Sequence, residues 1–465
     1  MSDSISTRRP AAVVIGASAA GLFTAAVLTE FADVTIIERD RLPDGPEPRR
    51  GVPQTRHAHL IWSGGVNAFN ELLPGLTDAA VAQGARLVRI MGDMISRAPN
   101  EVWFRRFLAT HHRNLVCSRD LLDFVLRERV LNHERLTLRQ ATTALGLEGD
   151  ATRVTGVRAH GAGKDFTLPA DLVVDASGRG SHAAQWLADL GLPKVTEREV
   201  NAGVTYATRL FKAPAGAGDN YPLVNVQANP AKAPGQGGII LPIENNQWLV
   251  TLAGTRGGEP TADPEAFVPF ALGFGDPIIG RLLQYAEPIS DVITTRSTAN
   301  RRRYFEKMKR WPDGFLAMGD AIAAYNPVYG HGLTVAAQGA IAIRDVLHTK
   351  DITAPGTARR LQRAAARPVA AAWDLAVGQD AFYPGAAQTP PTPTERFLAR
   401  FVDKAVETGA RSPRAMGALL DVMSMEKPAT RLFSKDMLIP MLFGPQKPHL
   451  QGPPLREDER AVIQP

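Results

Sequence analysis

The stretch AAVVIGASAAGLFTAAVLTEFADVTIIERD, residues 11–40, holds three elements in thirty residues. Residues 11–15 read as a short apolar strand, and Gly16, Ala17, Ser18, Ala19, Ala20 and Gly21 follow at once. A helix comes next, with Leu22, Ala25, Ala26 and Thr29 spaced to face a sheet. A second strand, 34–37, ends at Glu38 and Arg39. This is a βαβ unit with a G-x-S-x-x-G turn. Gly16 allows the tight turn, and Gly21 lets the helix lie close to the strand. The open amides at the helix N-terminus can cradle a pyrophosphate. Glu38 stands about 20 residues on, where a carboxylate accepts hydrogen bonds from a ribose. Ser18 replaces the usual middle glycine but is small enough to keep the close approach.

A second loop lies some 300 residues further along, in GFLAMGDAIAAYNPVYGHGLTVAAQGAIAIRDVL, residues 314–347. It reads as a short buried strand, an irregular loop and a helix. The loop carries Asp320, Pro327, Gly330, His331 and Gly332, and Leu333 opens the helix. Between the two, DLVVDASGRGSHAAQWL gives another strand, 172–174, followed by a turn at Asp175, Ser177 and Gly178. A nicotinamide dinucleotide alone needs no second Gly-Asp loop. A flavin dinucleotide does, because its ribityl chain and ring system reach well past the first turn.

These segments resemble the group A FAD-dependent monooxygenases, the p-hydroxybenzoate hydroxylase-like flavoproteins. The resemblance implies an α/β fold: a Rossmann-like FAD-binding domain, a β-sheet substrate domain roofing the flavin and a C-terminal helical region. It implies an FAD set of Gly16, Ser18, Ala19, Gly21, Glu38, Arg39, Arg49, Arg119, Asp320, Pro327, Gly330, Gly332 and Leu333. Asp320 would lie near the ribityl and pyrophosphate, Pro327, Gly330, His331 and Gly332 beside the isoalloxazine ring, and Arg49 near the mobile flavin. Arg119 leads the helix in CSRDLLDFVL. Many members carry Asp-Gly where this chain has Ser177 and Gly178.

Four longer strings narrow the resemblance: RRGVPQTRHAHLIWSGG, GVTYATRLFKAP, WPDGFLAMGDAIAAYNPVYGHG and RSPRAMGALLDVMSM. They are similar to the polyene epoxidases of polyether ionophore biosynthesis, the monensin and lasalocid type, over almost the whole chain. The implied reaction is epoxidation of alkenes in a linear polyene polyketide by a flavin C4a-hydroperoxide. FAD, O2 and either NAD(P)H or an external flavin reductase would take part. The partners implied are an apolar polyketide, a flavin reductase and a carrier protein. The same scaffold also suits a [4+2] cyclase that uses FAD structurally, or an aromatic hydroxylase. None of the six tryptophans sits in the W-x-W-x-I-P segment of flavin halogenases.

Organisation follows by the same analogy. Residues 1–180 and 290–350 would form a discontinuous FAD domain, 181–289 the roof, and 351–465 a helical region ending in a loosely held tail. The roof strands would offer Val204, Tyr206, Leu210, Ile239, Leu241, Trp248 and Val250 to an elongated apolar cavity. Trp248, Val250 and Leu252 alternate as in a half-buried strand. His331 reads as a brace of its loop, and His57 and His59 as neighbours on one strand face. No spacing supplies a set of metal ligands, and no side chain reads as a general base.

At 44% hydrophobic and 22% charged residues, the 465-residue chain has the composition of a globular protein with a large core. No apolar run approaches the ~18 residues of a membrane span. The polar opening MSDSISTRRP has no apolar core, so it does not read as a secretory leader. The single cysteine, Cys117, forms no internal disulfide and suits a reducing cytoplasm. A net charge of +6 is modest, and Arg49–Arg50, Arg105–Arg106 and Arg301–Arg303 are short clusters without the aromatic interleaving of a nucleic-acid surface. The last two clusters read as solvated charge.

Overall fold

The Ala11–Ile15 strand lies in the middle of a five-stranded parallel sheet. The computed structural model describes residues 8–49, 51–108, 110–218 and 220–463, so Arg50 lies outside the described residues. Across the sheet the strands run Phe315–Ala317, Leu172–Asp175, Ala11–Ile15, Asp33–Ile37 and Leu136–Arg139. Every neighbouring pair is parallel. Parallel sheets carry helices on their faces and bury both sides. The Leu172–Asp175 and Phe315–Ala317 strands are accordingly buried at every position. The Ala19–Leu28 helix follows the first strand, and the Gly332–Leu347 helix packs beside it. Both loops read from sequence therefore open at the same end of the sheet.

A second sheet of seven strands forms the roof. Thr205–Lys212, Gln247–Gly254, Gln236–Ile243 and Leu223–Val226 are antiparallel neighbours in that order. Met94–Arg97 adds to its edge in parallel, and Ile293–Thr295 pairs with Thr205–Lys212. The roof thus takes strands from both sides of the 181–289 stretch.

C-terminal helices Thr357–Asp380, Pro393–Arg411, Pro413–Met423 and Lys435–Phe443 follow, with the Pro/Thr-rich break between the first two irregular up to the capping box of Thr392 and Glu395. The chain end corrects the expectation of a loose tail. Arg106 Nη1 donates to both carboxylate oxygens of Glu459, at 2.7 and 2.6 Å, and Val462 is buried. A nearly desolvated ion pair and an apolar anchor hold it down. The Arg301–Arg303 cluster is likewise not simply solvated: Arg302 and Arg303 are buried and paired with Glu306 and Glu197. Among the described residues no helix is long and apolar enough to cross a membrane. Cys117 is buried, and burial raises its thiol pKa, so it stays an unreactive packing group.

Candidate active site

The first turn has the backbone that its glycines predict. Gly16 has a φ of 102°, and its N–H donates to Ile37 O at 2.8 Å. A Cβ added there would lie 2.8 Å from Ala176 O, and one at Gly21 would overlap Gly16 O. Ser18 occupies the N-cap of the Ala19–Leu28 helix, but its hydroxyl caps no helix amide. Instead Ser18 Oγ accepts from Arg119 Nη2 at 3.4 Å.

Glu38 ends the second strand beside this turn. Its Oε2 accepts from Ala17 N at 2.9 Å and Arg49 Nη2 at 2.9 Å, and its Oε1 accepts from Asp40 N at 3.0 Å. Arg49 Nη1 donates to Ala17 O at 2.9 Å and pairs with Asp123 at 3.2 Å. Arg127 Nε meets the same Asp123 oxygen at 3.2 Å. Two buried carboxylates therefore hold Arg49 against the dinucleotide turn. Arg39 stays outside the cluster, with its side chain 65% exposed. Sequence reasoning missed Asp123 and Arg127. Their signal was present: Arg119, Asp123 and Arg127 recur every four residues on the buried face of the Arg119–Leu131 helix.

The second loop packs onto the first. Gly319 has a φ of 58°, and a Cβ there would come within 2.6 Å of the Ala20 side chain. Asp320 Oδ1 lies 3.9 Å from the Cβ position of Gly332, at the start of the Gly332–Leu347 helix. Burial raises the Asp320 carboxyl above its ordinary pKa, while Arg179, Arg119 and Arg301 oppose that shift. Asp175 fixes the intervening turn by accepting from Ser177 N and Oγ at 2.9 and 2.5 Å and from Ser181 Oγ at 2.5 Å.

Around Pro327 the chain turns tightly. Asn326 Oδ1 accepts from Val328 N at 3.3 Å, and Gly330 takes the left-handed conformation with φ 68°. Trp62 Nε1 donates to Tyr329 O at 2.9 Å. His331 is 1% exposed, stacks on Trp62 and donates from Nε2 to Met423 O at 3.0 Å. It is the expected brace, and Leu333 is half-buried behind it.

Burial lowers the His331 pKa to about 4, with the Met423 hydrogen bond opposing. Between pH 6.5 and about 4 the unfolded chain then binds a proton at this position that the folded chain does not. Stability is full above that window and falls as the pH drops through it, by about 3 kcal/mol at most from this residue. His331→Gln should flatten the acid limb of a melting-temperature profile. An unchanged limb counts against the buried neutral imidazole.

These residues fit a flavin dinucleotide. The Ala19–Leu28 and Gly332–Leu347 helices both lack a side-chain cap, which leaves their N-terminal amides for phosphate and ring oxygens. The buried Nε atoms of Arg49 and Arg119 have no partner among the described residues. Gly16, Gly21, Gly319 and Gly330 sit where a side chain would press on neighbouring protein atoms, so their absence lets the walls of the cradle pack closely. Asp320→Ala removes a carboxylate beside the second helix start. FAD affinity should fall by about ten- to a hundredfold, the worth of one charged hydrogen bond. Fluorescence titration of apoprotein reads this directly, and unaltered affinity removes Asp320 from the site.

Roof register decides which predicted pocket residues face this cradle. Directly paired residues share a face. Thr208–Thr251–Ile239 and Leu210–Leu249–Leu241 are such rows, as is the pair Tyr206–Ala253. Tyr206 donates to Asn326 Oδ1 at 2.6 Å, and Thr208 Oγ1 bonds His57 Nδ1 at 2.8 Å and Thr251 Oγ1 at 2.7 Å. That face therefore looks onto the 327–332 loop and the 57–62 segment. Trp248 and Val250 correct the sequence reading. They pair with Phe211 and Arg209 on the opposite face, where they pack in the core that includes Phe267 and Ile279. His57 and His59 correct it too. They precede the two-residue Leu60–Ile61 strand instead of lying on it, and His59 Nδ1 bonds the His57 carbonyl at 2.8 Å.

The recess between roof and loop is small, about 50 Å³, with Val204, Ala253, Val328, Tyr329, Asp380 and Tyr383 among its lining. Its lining is mainly apolar as expected, but at this volume it is not the elongated cavity expected. Its polar anchor was missed. Asp380 is 2% exposed and accepts from Tyr329 OH at 2.6 Å, Asn326 Nδ2 at 2.9 Å and Asn300 Nδ2 at 2.7 Å. Burial raises its pKa against those three hydrogen bonds. The carboxylate ties the 327–332 loop to the end of the Thr357–Asp380 helix.

Fold and cradle define a flavin-dependent enzyme of the monooxygenase type. Residues 9–375 match the family described as FAD binding domain, and the chain belongs to that family. It is similar to Protein Rv3254 of Mycobacterium tuberculosis, 32% identical over 434 residues, covering 86% of this chain and 91% of the relative. Its fold is similar to that of the flavin-dependent brominase Bmp2, with a TM-score of 0.64 at 16% identity over 89% of this chain and 92% of that one. It is also similar to p-nitrophenol 4-monooxygenase PnpA of Pseudomonas putida, with a TM-score of 0.59 at 15% identity over 90% of this chain and 98% of that one. One fold thus carries different chemistries, and the choice among them lies in the site.

Proposed function

We propose that this protein is an FAD-dependent monooxygenase that epoxidises alkenes of a linear, apolar polyene polyketide. The supporting observation is the chemistry of the roof face over the cradle. Tyr206, Thr208, Leu210, Ile239, Leu241, Leu249 and Thr251 put hydroxyls and aliphatic groups there; Lys212 of the same face stands exposed at the strand end, and the Asp380 carboxylate of the recess is engaged by Tyr329, Asn326 and Asn300. A carboxylate- or phenolate-bearing aromatic substrate calls for a fixed cation, whereas a neutral alkene chain is held by apolar contact. Bound FAD, reduced by NAD(P)H or by a separate flavin reductase, supplies the activation of O2. The chain's own residues hold the alkene, keep water out and fix the loop. His57 and His331 are buried with pKa values lowered to about 4, so both stay neutral near pH 7. Residues 181–289 would be the substrate domain, and a carrier protein could present the polyketide.

The test is a mass measurement. FAD-loaded protein, given reductant, O2 and a linear polyene, is expected to return product heavier by one oxygen per epoxide. Product of unchanged mass formed without reductant would replace the epoxidase by the cyclase reading. Turnover of a phenol but not of the polyene would replace it by an aromatic hydroxylase.

A further inference from the structure

We propose that His111, His112, Asp421 and Glu426 form a divalent-cation site of the zinc class, which pins the end of the Pro413–Met423 helix to the 111–112 segment. Two imidazole nitrogens and two carboxylate oxygens lie within 4.8 Å of one another. His111 Nε2 is 3.0 Å from Glu426 Oε2, and His112 Nε2 is 3.2 Å from Asp421 Oδ1. The adjacent imidazoles stack with centroids 4.0 Å apart, so both project the same way. Zn–N and Zn–O bonds of ~2.0–2.2 Å place tetrahedral ligand atoms about 3.4 Å apart, so closure needs about 1.4 Å of movement at most.

The donor set suits this ion. Two neutral imidazoles and two carboxylates balance its charge, and four protein ligands close the shell as structural zinc sites do. His112 Nδ1 is buried without a partner among the described residues. Moving its proton from Nε2 to Nδ1 to free Nε2 for the cation therefore breaks no further protein hydrogen bond. Arg431 Nε donates to Asp421 Oδ2 at 2.7 Å, which orients the carboxylate and leaves Oδ1 for the cation. Glu426 Oε1 is also buried and unpartnered, while His111, with its side chain 69% exposed, gives an entry path.

The site would act on the flavin loop through the segment between its ligands. Met423 O receives the His331 hydrogen bond, and Met425 O accepts from Gln338 Nε2 at 2.9 Å. A cation on Asp421 and Glu426 holds both carbonyls in place from behind.

The experiment uses tag-free, FAD-loaded protein equilibrated with Zn2+, desalted and analysed for metal. About one zinc per chain is expected. His111→Ala and Glu426→Gln should each weaken Zn2+ binding at least about tenfold while keeping the flavin absorbance. His160→Ala, at the exposed pair with Asp165, should bind like wild type. Co2+ in place of zinc should add the visible bands of a tetrahedral site. Wild-type protein that holds no zinc and shows no such bands overturns the proposal, as does wild-type affinity in both ligand variants.

Discussion

Arg49→Met is expected to lower the unfolding free energy by about 3–5 kcal/mol, the cost of removing one partner from a buried ion pair. The Arg49 side chain is 2% exposed, and those of Glu38 and Asp123 are 10% and 3% exposed. Without the guanidinium, Glu38 loses its only cationic partner among the described residues, and Asp123 keeps Arg127 and the more distant Arg119. A methionine fills the space but neutralises nothing. Urea denaturation of FAD-free protein should show the lower midpoint at an unchanged slope. The double variant Arg49→Met with Glu38→Gln should recover part of the loss, because the stranded charge has gone while Asp123 keeps its remaining arginines. A single-variant loss under about 1 kcal/mol would mean that water already reaches the pair.

Gly21→Ala is the second large effect. Its Cβ would overlap the Gly16 carbonyl, which is backbone and cannot swing aside. The Ala19–Leu28 helix must then move off the strand it packs against, and the phosphate cradle moves with it. FAD affinity should fall more than about a hundredfold, or the protein should fail to fold. Gly378→Ala is the matched control. It sits within the Thr357–Asp380 helix with nothing inside 4 Å of the added atom, so it should be neutral or stabilise by up to about 1 kcal/mol. Yellow Gly21→Ala protein with unaltered FAD affinity would refute the close-packing argument.

Both nucleotide loops were legible because their chemistry is local. Gly16 and Gly21 stand where the backbone leaves no room for a side chain, and any sequence with that geometry must show glycine there. The roof was legible as strands but not as faces. Gln247–Gly254 is buried on both sides, so apolar residues occupy both parities and the alternation that names a solvent face is absent. Trp248 and Val250 were placed by that missing alternation. Asp380 was invisible for another reason. Its partners Asn300, Asn326 and Tyr329 come from distant segments, and no spacing in the chain encodes their meeting. Arg106 and Glu459 meet across 353 positions for the same want of local signal.

The order of strands in the parallel sheet also sets a timetable for synthesis. Ala11–Ile15 is made early, but Leu172–Asp175 is covered on its outer edge only when Phe315–Ala317 arrives some 300 residues after the first strand. At about 5–20 residues per second that interval is about 15–60 s. For its last ~140 residues, about 7–28 s, the buried Leu172–Asp175 strand has an open edge, and the second half of the cradle has not been made. The cradle for FAD is therefore complete only after the last strand of this sheet has emerged, and until then the open edge is a site for mispairing.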